Sequence, residues 1–261
     1  MAVALVAVSY LARAVRLYDQ LAFAHAGWLP PCLRLMLLHN FFNNLLPMRA
    51  GEASFLILLQ RYFSIGMSVS GPALLWFRLL DLYVLLLVFV FVMAGMWWGT
   101  LVQLLCLLFW IVVLLLGRKW VSTSPLFQVT TDTSKWRKLL ATLADPITVE
   151  NGRFFRVVLW SLACWVAKLS AFVFVLSEFI TVSASELLPA VILGELSSVL
   201  PVHGFAGAGT YEAGVSGGLV SMGIPLNDAI TASVNLHLFL LGSSMLSALV
   251  GLMIKLPSSD R

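Results

Sequence analysis

Long apolar runs separated by short polar breaks make up most of this chain. A membrane-spanning helix needs about 20 predominantly apolar residues, within a range of about 17 to 25. Runs of this kind occupy residues 73–95, 101–117, 157–182 and 229–254. Pro72 precedes the first of them and is expected to open its helix. Residues 2–16 form a shorter apolar run, and the whole pattern predicts an all-α, multi-pass membrane protein.

Two further apolar runs stop too soon to cross a bilayer. Leu33–Leu46 is followed by Pro47, and Leu187–Leu200 is followed by Pro201. A turn and a second short arm follow each run, at residues 52–65 and 212–222. Non-helical backbone at membrane depth is tolerated only where protein or a water-filled cavity surrounds it. The sequence therefore predicts two re-entrant hairpins, whose tips begin at these two prolines.

The order helix, re-entrant hairpin, helix occurs twice, which predicts two repeats. Repeat one covers residues 1–98 and repeat two covers 157–256; a connecting helix at 99–117 and a loop at 118–156 join them. Three crossings separate equivalent points of the two repeats, and an odd number of crossings inverts the second copy. Inverted repeats with broken helices near the bilayer midplane are typical of transporters. This architecture favours alternating access or a lipid path open to both sides.

Composition supports the membrane class and excludes others. The chain is 61% hydrophobic and 11% charged, with a mean hydropathy of +0.98, whereas soluble domains carry about 25% charged residues. The net charge of +4 does not indicate nucleic-acid binding, because basic residues fall at the ends of apolar runs. Their excess places the 118–156 loop in the cytoplasm. The same rule assigns to the inner surface Arg13, Arg16, Arg34, Arg61, Lys255 and Arg261.

The sequence shows no pattern typical of a metal site, a cofactor site or a catalytic nucleophile. Cys32, Cys106 and Cys164 lie far apart within apolar segments, which predicts packing roles. A nucleotide-binding loop and a nucleophile beside a base are also missing, so we expect no cofactor and no enzymatic activity. The alternative is a membrane enzyme that uses Glu52 and Glu212 as acid and base.

Polar and charged residues at and near the two hairpins form the candidate substrate site, because such groups are costly at membrane depth and usually functional. They are Asn44, Pro47, Arg49, Gly51, Glu52, Arg78, Asp81, Glu195, Pro201, Gly207, Gly209 and Glu212. Glu52 and Glu212 each open a short helix, where a carboxylate is favourable by about 0.3–1 kcal/mol. They either cap these helices or line a polar cavity that binds a cationic headgroup or carries protons.

The other charges each have a structural and a functional interpretation. Arg49 binds a lipid phosphate through its guanidinium fork, or pairs with the glutamate one turn later. Arg78 and Asp81 stand three apart on one helix face, which favours an intrahelical pair, and the alternative is that the side chain of Arg78 extends to the inner membrane surface. Glu195 needs a partner within its short arm. Lys168 is the candidate partner, unless its side chain extends to the membrane surface.

The glycines of the second hairpin have two predicted roles. Gly207 and Gly209 let the tip turn tightly, or expose backbone N–H groups to a phosphate. Gly214, Gly217 and Gly218 predict close packing between the helices of the hairpin.

Several segments resemble one known family. They are Asn43–Glu52, Arg78–Asp81, Glu195–Pro201 and Gly207–Glu212. Together they are similar to the flippase-like membrane region of the lysylphosphatidylglycerol synthases, which is shared with stand-alone bacterial and archaeal membrane proteins. The resemblance covers nearly the whole chain. It implies a multi-pass protein of the cytoplasmic (inner) membrane that moves a lipid or a lipid-linked headgroup between leaflets.

Two departures from the family limit what the resemblance implies. Members usually begin with one more helix, so the start of this chain is expected to be truncated. An arginine usually stands before the second glutamate, where this chain has Tyr211. The soluble aminoacyl-transferase domain of the full synthases is absent from the sequence, so the resemblance does not imply synthase activity.

The sequence thus favours a lipid flippase or transporter whose polar cavity is formed by the two hairpins. Besides the transporter and the membrane enzyme, a third hypothesis is a non-catalytic subunit that presents lipid to a separate lipid-modifying enzyme. In that case changes in the 118–156 loop would abolish function. The expected partners are a membrane lipid and either a second copy of the chain or such an enzyme, whereas nucleic acid is not expected.

Overall fold

The computed structural model describes residues 1–21, 28–47, 50–128, 135–198 and 205–256, and within these ranges it contains helices and no strands. The α-helices are α1 (Ala2–Leu21), α2 (Leu29–Leu45), α3 (Glu52–Phe63), α4 (Met67–Trp97), α5 (Thr100–Thr123), α6 (Lys135–Ala144), α7 (Asn151–Ser177), α8 (Ala184–Ser197), α9 (Thr210–Ser221) and α10 (Leu226–Met253). Short 3-10 turns occupy Pro125–Phe127 and Phe205–Gly207.

Four of the described helices, α4, α5, α7 and α10, are long and apolar enough to cross a membrane. They coincide with the four long runs of the sequence, so the predicted all-helical, multi-pass class is confirmed. Pro72 does not open its helix as predicted. It lies inside α4, which begins earlier at Met67. Because proline has no backbone N–H, Pro72 removes one hydrogen bond from the first turns of this helix.

The first helix corrects the assignment of two arginines. α1 packs along α7 in the most extensive contact between helices of the structure. Arg13 and Arg16 point into this interface and are only 7% and 1% exposed, so they do not lie at the inner surface as the charge pattern predicted. The charge pattern considers only where basic residues stand along the sequence. In the structure, buried partners accept hydrogen bonds from the two guanidinium groups.

Both short arms end close to the predicted breaks. α2 ends at Leu45 and packs on α3, and α8 ends at Ser197 and packs on α9. A Cβ on Gly51 would lie 2.3 Å from the carbonyl oxygen of Phe42, so the first hairpin closes only over a residue without a side chain.

Small residues also bring the helices of the second hairpin together. A Cβ on Gly218 would lie 2.5 Å from the Cα of Ala190, and one on Gly214 would lie 2.8 Å from the carbonyl oxygen of Leu193. The predicted close packing is therefore confirmed for these two glycines. It is wrong for Gly217, which faces open space because it is turned about 100° around α9 from Gly218.

Two hydrophobic cores lie on either side of the α1–α7 contact. One contains residues of α7, α8, α9 and α10, the first half of α1, and also Leu37 of α2 and Val84 and Leu85 of α4. The other contains residues of α1, α2, α3 and α4 and the start of α7. α5 stands outside both cores: it packs mainly on α4 and contributes no buried residue. Four of the buried charged and amide side chains, Arg13, Asn40, Asp81 and Glu195, line one cavity.

Candidate functional site

A polar cavity of about 70 Å³ lies between the two halves of the molecule. Residues of α1, α2, α4, α7, α8, α9 and α10 line it, as does the described part of the second hairpin tip. Its charged and amide residues include Arg13, Asn40, Arg78, Lys168, Glu195 and His237. Charged groups inside a membrane protein are costly and usually functional.

The two halves make the same kind of contact across this cavity. In the first half, Arg13 of α1 donates a hydrogen bond from Nη1 to Oδ1 of Asn40 on α2, over 3.2 Å. In the second half, Lys168 of α7 donates from Nζ to Oε2 of Glu195 on α8, over 2.7 Å. Both pairs are 27 residues apart in sequence. The predicted pairing of Glu195 with Lys168 is confirmed, and it has a counterpart in the first half that the sequence reasoning missed.

A second kind of contact also occurs in both halves. Glu52, the first residue of α3, contacts Nε of Arg78 on α4 with Oε1 at 3.2 Å. Glu212, in the first turn of α9, contacts Nδ1 of His237 on α10 with Oε1 at 2.6 Å. Each hairpin carboxylate therefore forms an ion-pair contact with a basic residue on the long helix that follows it. Arg78 and His237 line the cavity, and the two glutamates lie immediately behind them.

The capping interpretation of Glu212 also holds. Its Oε2 accepts a hydrogen bond of 2.7 Å from the backbone N–H of Gly209, so one carboxylate both caps α9 and pairs with a histidine. Glu186 has the same position at the start of α8, where it accepts bonds from the backbone N–H and the hydroxyl of Ser183. These two bonds lower the pKa of the exposed Glu186 carboxyl, which has no histidine partner.

The predicted pair of Arg78 with Asp81 is wrong. Arg78 donates instead to Oδ1 of Asn43 over 3.0 Å and contacts the first hairpin carboxylate. Asp81 accepts from Nη1 of Arg16 over 2.5 Å and from the indole N–H of Trp165 over 3.0 Å. Helical spacing permits the intrahelical pair, but Asp81 pairs with Arg16 instead. Arg16 is almost fully buried, and Asp81 is its only ion-pair partner among the described residues.

Arg13 differs from the other cavity cations in its partners. Its Nε lies 3.1 Å from Sγ of Cys164, and its guanidinium lies 5.5 Å from the ring of Trp165. Among the described residues it forms no ion pair with a carboxylate. Asn40, its hydrogen-bond partner, keeps a buried Nδ2 without an acceptor in the described part of the chain. This part of the cavity therefore presents a positive charge and an unused N–H donor.

The other residues named from the sequence are divided between the cavity and the turns. Asn44 and Gly207 line the cavity. Pro47 is exposed, Gly51 is buried within the first hairpin, and Gly209 has φ +86°, a turn conformation that favours glycine. The predictions for Arg49 and Pro201 fall outside the described residues. The sequence reasoning missed Arg13, Asn40 and His237 as cavity residues. The spacing of 27 residues, which also separates Lys168 from Glu195, could have indicated the first two.

Four candidate spanning helices and a charged cavity between two helical cores define a multi-pass helical membrane protein. The family model of the lysylphosphatidylglycerol synthase TM region matches residues 1–248, and the chain belongs to that family. Comparison with curated proteins and with solved structures found no match in either set. The family indicates a membrane role related to lipids.

Proposed function

We propose that this protein moves a phosphate-bearing lipid headgroup between the leaflets of a bacterial or archaeal inner membrane, without chemical change to the lipid. The observation that carries the proposal is the charged cavity, which is buried between two hydrophobic cores and lined by side chains from both halves. A headgroup that crosses hydrocarbon needs such a surface because the cost of burying its charges is otherwise prohibitive.

The paired contacts support an architecture of two inverted repeats. In this proposal α1 to α4 form the first repeat, and α7 to α10 form the second. The hairpins α2–α3 and α8–α9 enter the membrane without crossing it, and α5 adds the crossing that inverts the second copy. Equivalent cation-to-polar contacts in the two repeats then face one cavity from opposite sides, as in transporters built from inverted repeats.

We assign the phosphate of the headgroup to Arg13 and Asn40. A guanidinium binds phosphate through paired hydrogen bonds, and the unused Nδ2 of Asn40 adds a donor beside it. A buried cation without a carboxylate partner is costly, and an anionic ligand would offset that cost. In the second half Glu195 already neutralises Lys168, so the first half is the better anion site.

The cavity must open for this function. Its volume of about 70 Å³ has room for a few water molecules, which is less than a lipid headgroup requires. The structure therefore corresponds to a closed conformation in this proposal, and a hairpin has to move away from α10 or α4 to admit the headgroup.

Translocation by the purified protein in proteoliposomes tests the proposal, with a panel of aminoacylated, anionic and polyprenyl-phosphate lipids. We expect one class to cross faster than in empty liposomes. Arg13→Gln should slow it by about 10- to 100-fold, since hydrogen bonds to charged groups contribute about 1.5–3 kcal/mol. Asp19→Asn, which removes a carboxylate paired with the exposed Arg156 away from the cavity, should leave the rate unchanged.

Two outcomes would change the conclusion. If no lipid class crosses faster than in empty liposomes, translocation is refuted, and the subunit that presents lipid to an enzyme becomes the better hypothesis. If a class crosses but Arg13→Gln carries it at the normal rate with an unchanged melting temperature, the phosphate site lies elsewhere.

A further inference from the structure

His237 lies between two oxygen atoms of the second hairpin. Its Nε2 is 2.9 Å from the carbonyl oxygen of Ala206 at the tip, and its Nδ1 is 2.6 Å from Oε1 of Glu212 in the first turn of α9. A carbonyl oxygen can only accept, so Nε2 carries a hydrogen. The second contact then needs another proton between the imidazole and the carboxylate. Without it, two lone pairs would face each other at 2.6 Å.

We propose that Glu212 and His237 form a proton-binding site that couples the movement of the second hairpin to protons. The inference rests on the proposed function, because it names the ion whose gradient can drive translocation. With the proton bound, an imidazolium donates to both the hairpin tip and the carboxylate, and two bonds hold the hairpin against α10. When the proton leaves for water, a neutral imidazole with hydrogen on Nε2 and a free carboxylate remain. The bond to Glu212 is then lost.

The two members of the pair have different surroundings. His237 lines the central cavity and is 4% exposed. The side chain of Glu212 is 22% exposed and lies outside the residues that line the cavity. In this proposal a proton reaches the pair from the exposed side of Glu212 and leaves through the cavity, or takes the reverse route. A binding site reached from both sides is what coupling to a gradient requires.

The first half cannot respond in the same way. There the hairpin carboxylate of Glu52 contacts Arg78, and a guanidinium keeps its charge across the physiological pH range. Histidine is the side chain whose charge changes in that range. Each hairpin thus has a carboxylate in contact with a basic residue of the next helix, but in this proposal only the second contact responds to protons. This difference gives the two halves unequal roles in the transport cycle.

Other charged or titratable groups face the cavity from the helices packed around His237. They are Tyr10 and Arg13 of α1, Arg78 and Asp81 of α4, Lys168 of α7, Glu195 of α8 and Tyr211 of α9. α2 contributes only the neutral amides of asparagines. Lys168 and Glu195 neutralise each other, and Asp81 is paired with Arg16. The positive charge of Arg13 opposes a positive charge on His237, whereas the carboxylate of Glu212, which contacts His237 directly, favours it.

Spin labels test the hairpin movement without any transport. Phe205 at the tip and Leu238 on α10 are 64% and 60% exposed, and cysteines at both positions can be labelled after Cys106→Ser. Cys32 and Cys164 are buried. Electron paramagnetic resonance should give a longer distance between the labels as pH rises. His237→Gln and Glu212→Gln should each abolish this change. In neither variant can a proton be shared between an imidazole and a carboxylate at this position.

Glu186→Gln is the matched control for Glu212→Gln. Both glutamates accept a backbone N–H bond in the first turn of a hairpin helix, and only Glu212 contacts a histidine. The Glu186 variant should keep the normal dependence of the distance on pH. A distance that does not change with pH in the unmodified pair, or that changes equally in His237→Gln, would overturn the proposal.

Proteoliposomes with an imposed pH gradient separate this inference from the proposed function. For the lipid class that crosses, transport should be faster in one direction of the gradient than in the other, by up to about tenfold for one pH unit. His237→Gln should remove this difference. If the transport rate does not depend on the direction of the pH gradient, the proton site is refuted and the proposed translocation function still stands. A pH-dependent label distance without any lipid transport refutes translocation and leaves the proton site intact.

Discussion

The buried pair of Arg16 and Asp81 allows the sharpest prediction about stability. Their side chains are 1% and 6% exposed. Asp81→Asn keeps an oxygen that can accept from Trp165 but removes the charge that neutralises Arg16. Among the described residues, the guanidinium then has only neutral partners: the amide oxygen at position 81, the hydroxyl of Ser161 at 3.0 Å and the ring of Phe77 at 4.4 Å. Breaking a buried ion pair by removing one partner costs about 3–5 kcal/mol.

This loss should be visible as a lower melting temperature of the purified protein in detergent. At roughly 2–4 °C per kcal/mol for a chain of this size, the midpoint should fall by about 6–20 °C. The double variant Arg16→Met with Asp81→Asn should recover most of the loss, because it removes both charges and keeps the acceptor for Trp165. Asp19→Asn provides the comparison, since its partner Arg156 is exposed and such pairs contribute about 1 kcal/mol or less.

Two results would refute this reasoning. One is a melting temperature for Asp81→Asn no lower than that for Asp19→Asn. The other is a double variant less stable than Asp81→Asn alone, which would mean that Arg16 stabilises the fold without its carboxylate partner.

Three further predictions concern packing and charge. Gly218→Ala should destabilise the protein by about 1–3 kcal/mol because its Cβ would overlap the facing helix, whereas Gly217→Ala, which faces open space, should be neutral or stabilising. Gly51→Ala should separate the arms of the first hairpin and lower both the melting temperature and lipid transport. Gly66→Ala, with no neighbour closer than 3.9 Å, should do neither. Lys168→Met should slow transport and lower the melting temperature, because it leaves a buried carboxylate without its cation.

Each of these predictions has a result that would contradict it. Equal melting temperatures for the alanine variants of Gly217 and Gly218 would show that α9 does not need close approach to α8. A normal Gly51→Ala variant would mean that the first hairpin tip has more room than the structure shows. If Lys168→Met transports normally, the pair it forms with Glu195 has no part in translocation.

The length of the apolar runs made most of the fold predictable. Each of the four long helices and each short arm is a continuous apolar segment with a polar or proline boundary, and such boundaries follow from the bilayer and from backbone chemistry. The burial of Arg13 and Arg16 could not be predicted in this way. It depends on the contact of α1 with α7, which joins residues far apart in sequence.

The candidate site was predictable only in part. Glu195 and Arg78 stand out in the sequence because a charge in an apolar run is unusual. His237 does not, since a single histidine on an apolar helix is more often a packed core residue. Its importance follows from two contacts in space, with Ala206 and Glu212. Spacing along one helix also misassigned the partner of Asp81, because tertiary contacts decide between two possible ion pairs.

The position of α5 has a consequence for the divergence of related sequences. The helix contributes no fully buried residue, and its polar contacts with α4 include the hydrogen bond from the hydroxyl of Tyr83 to the carbonyl oxygen of Trp110. A backbone acceptor is the same whatever the side chain, so this bond survives substitution of the residue that provides it. Related chains can therefore replace most of α5 with other apolar residues, while the pairs of α1 with α2 and of α7 with α8 must change together.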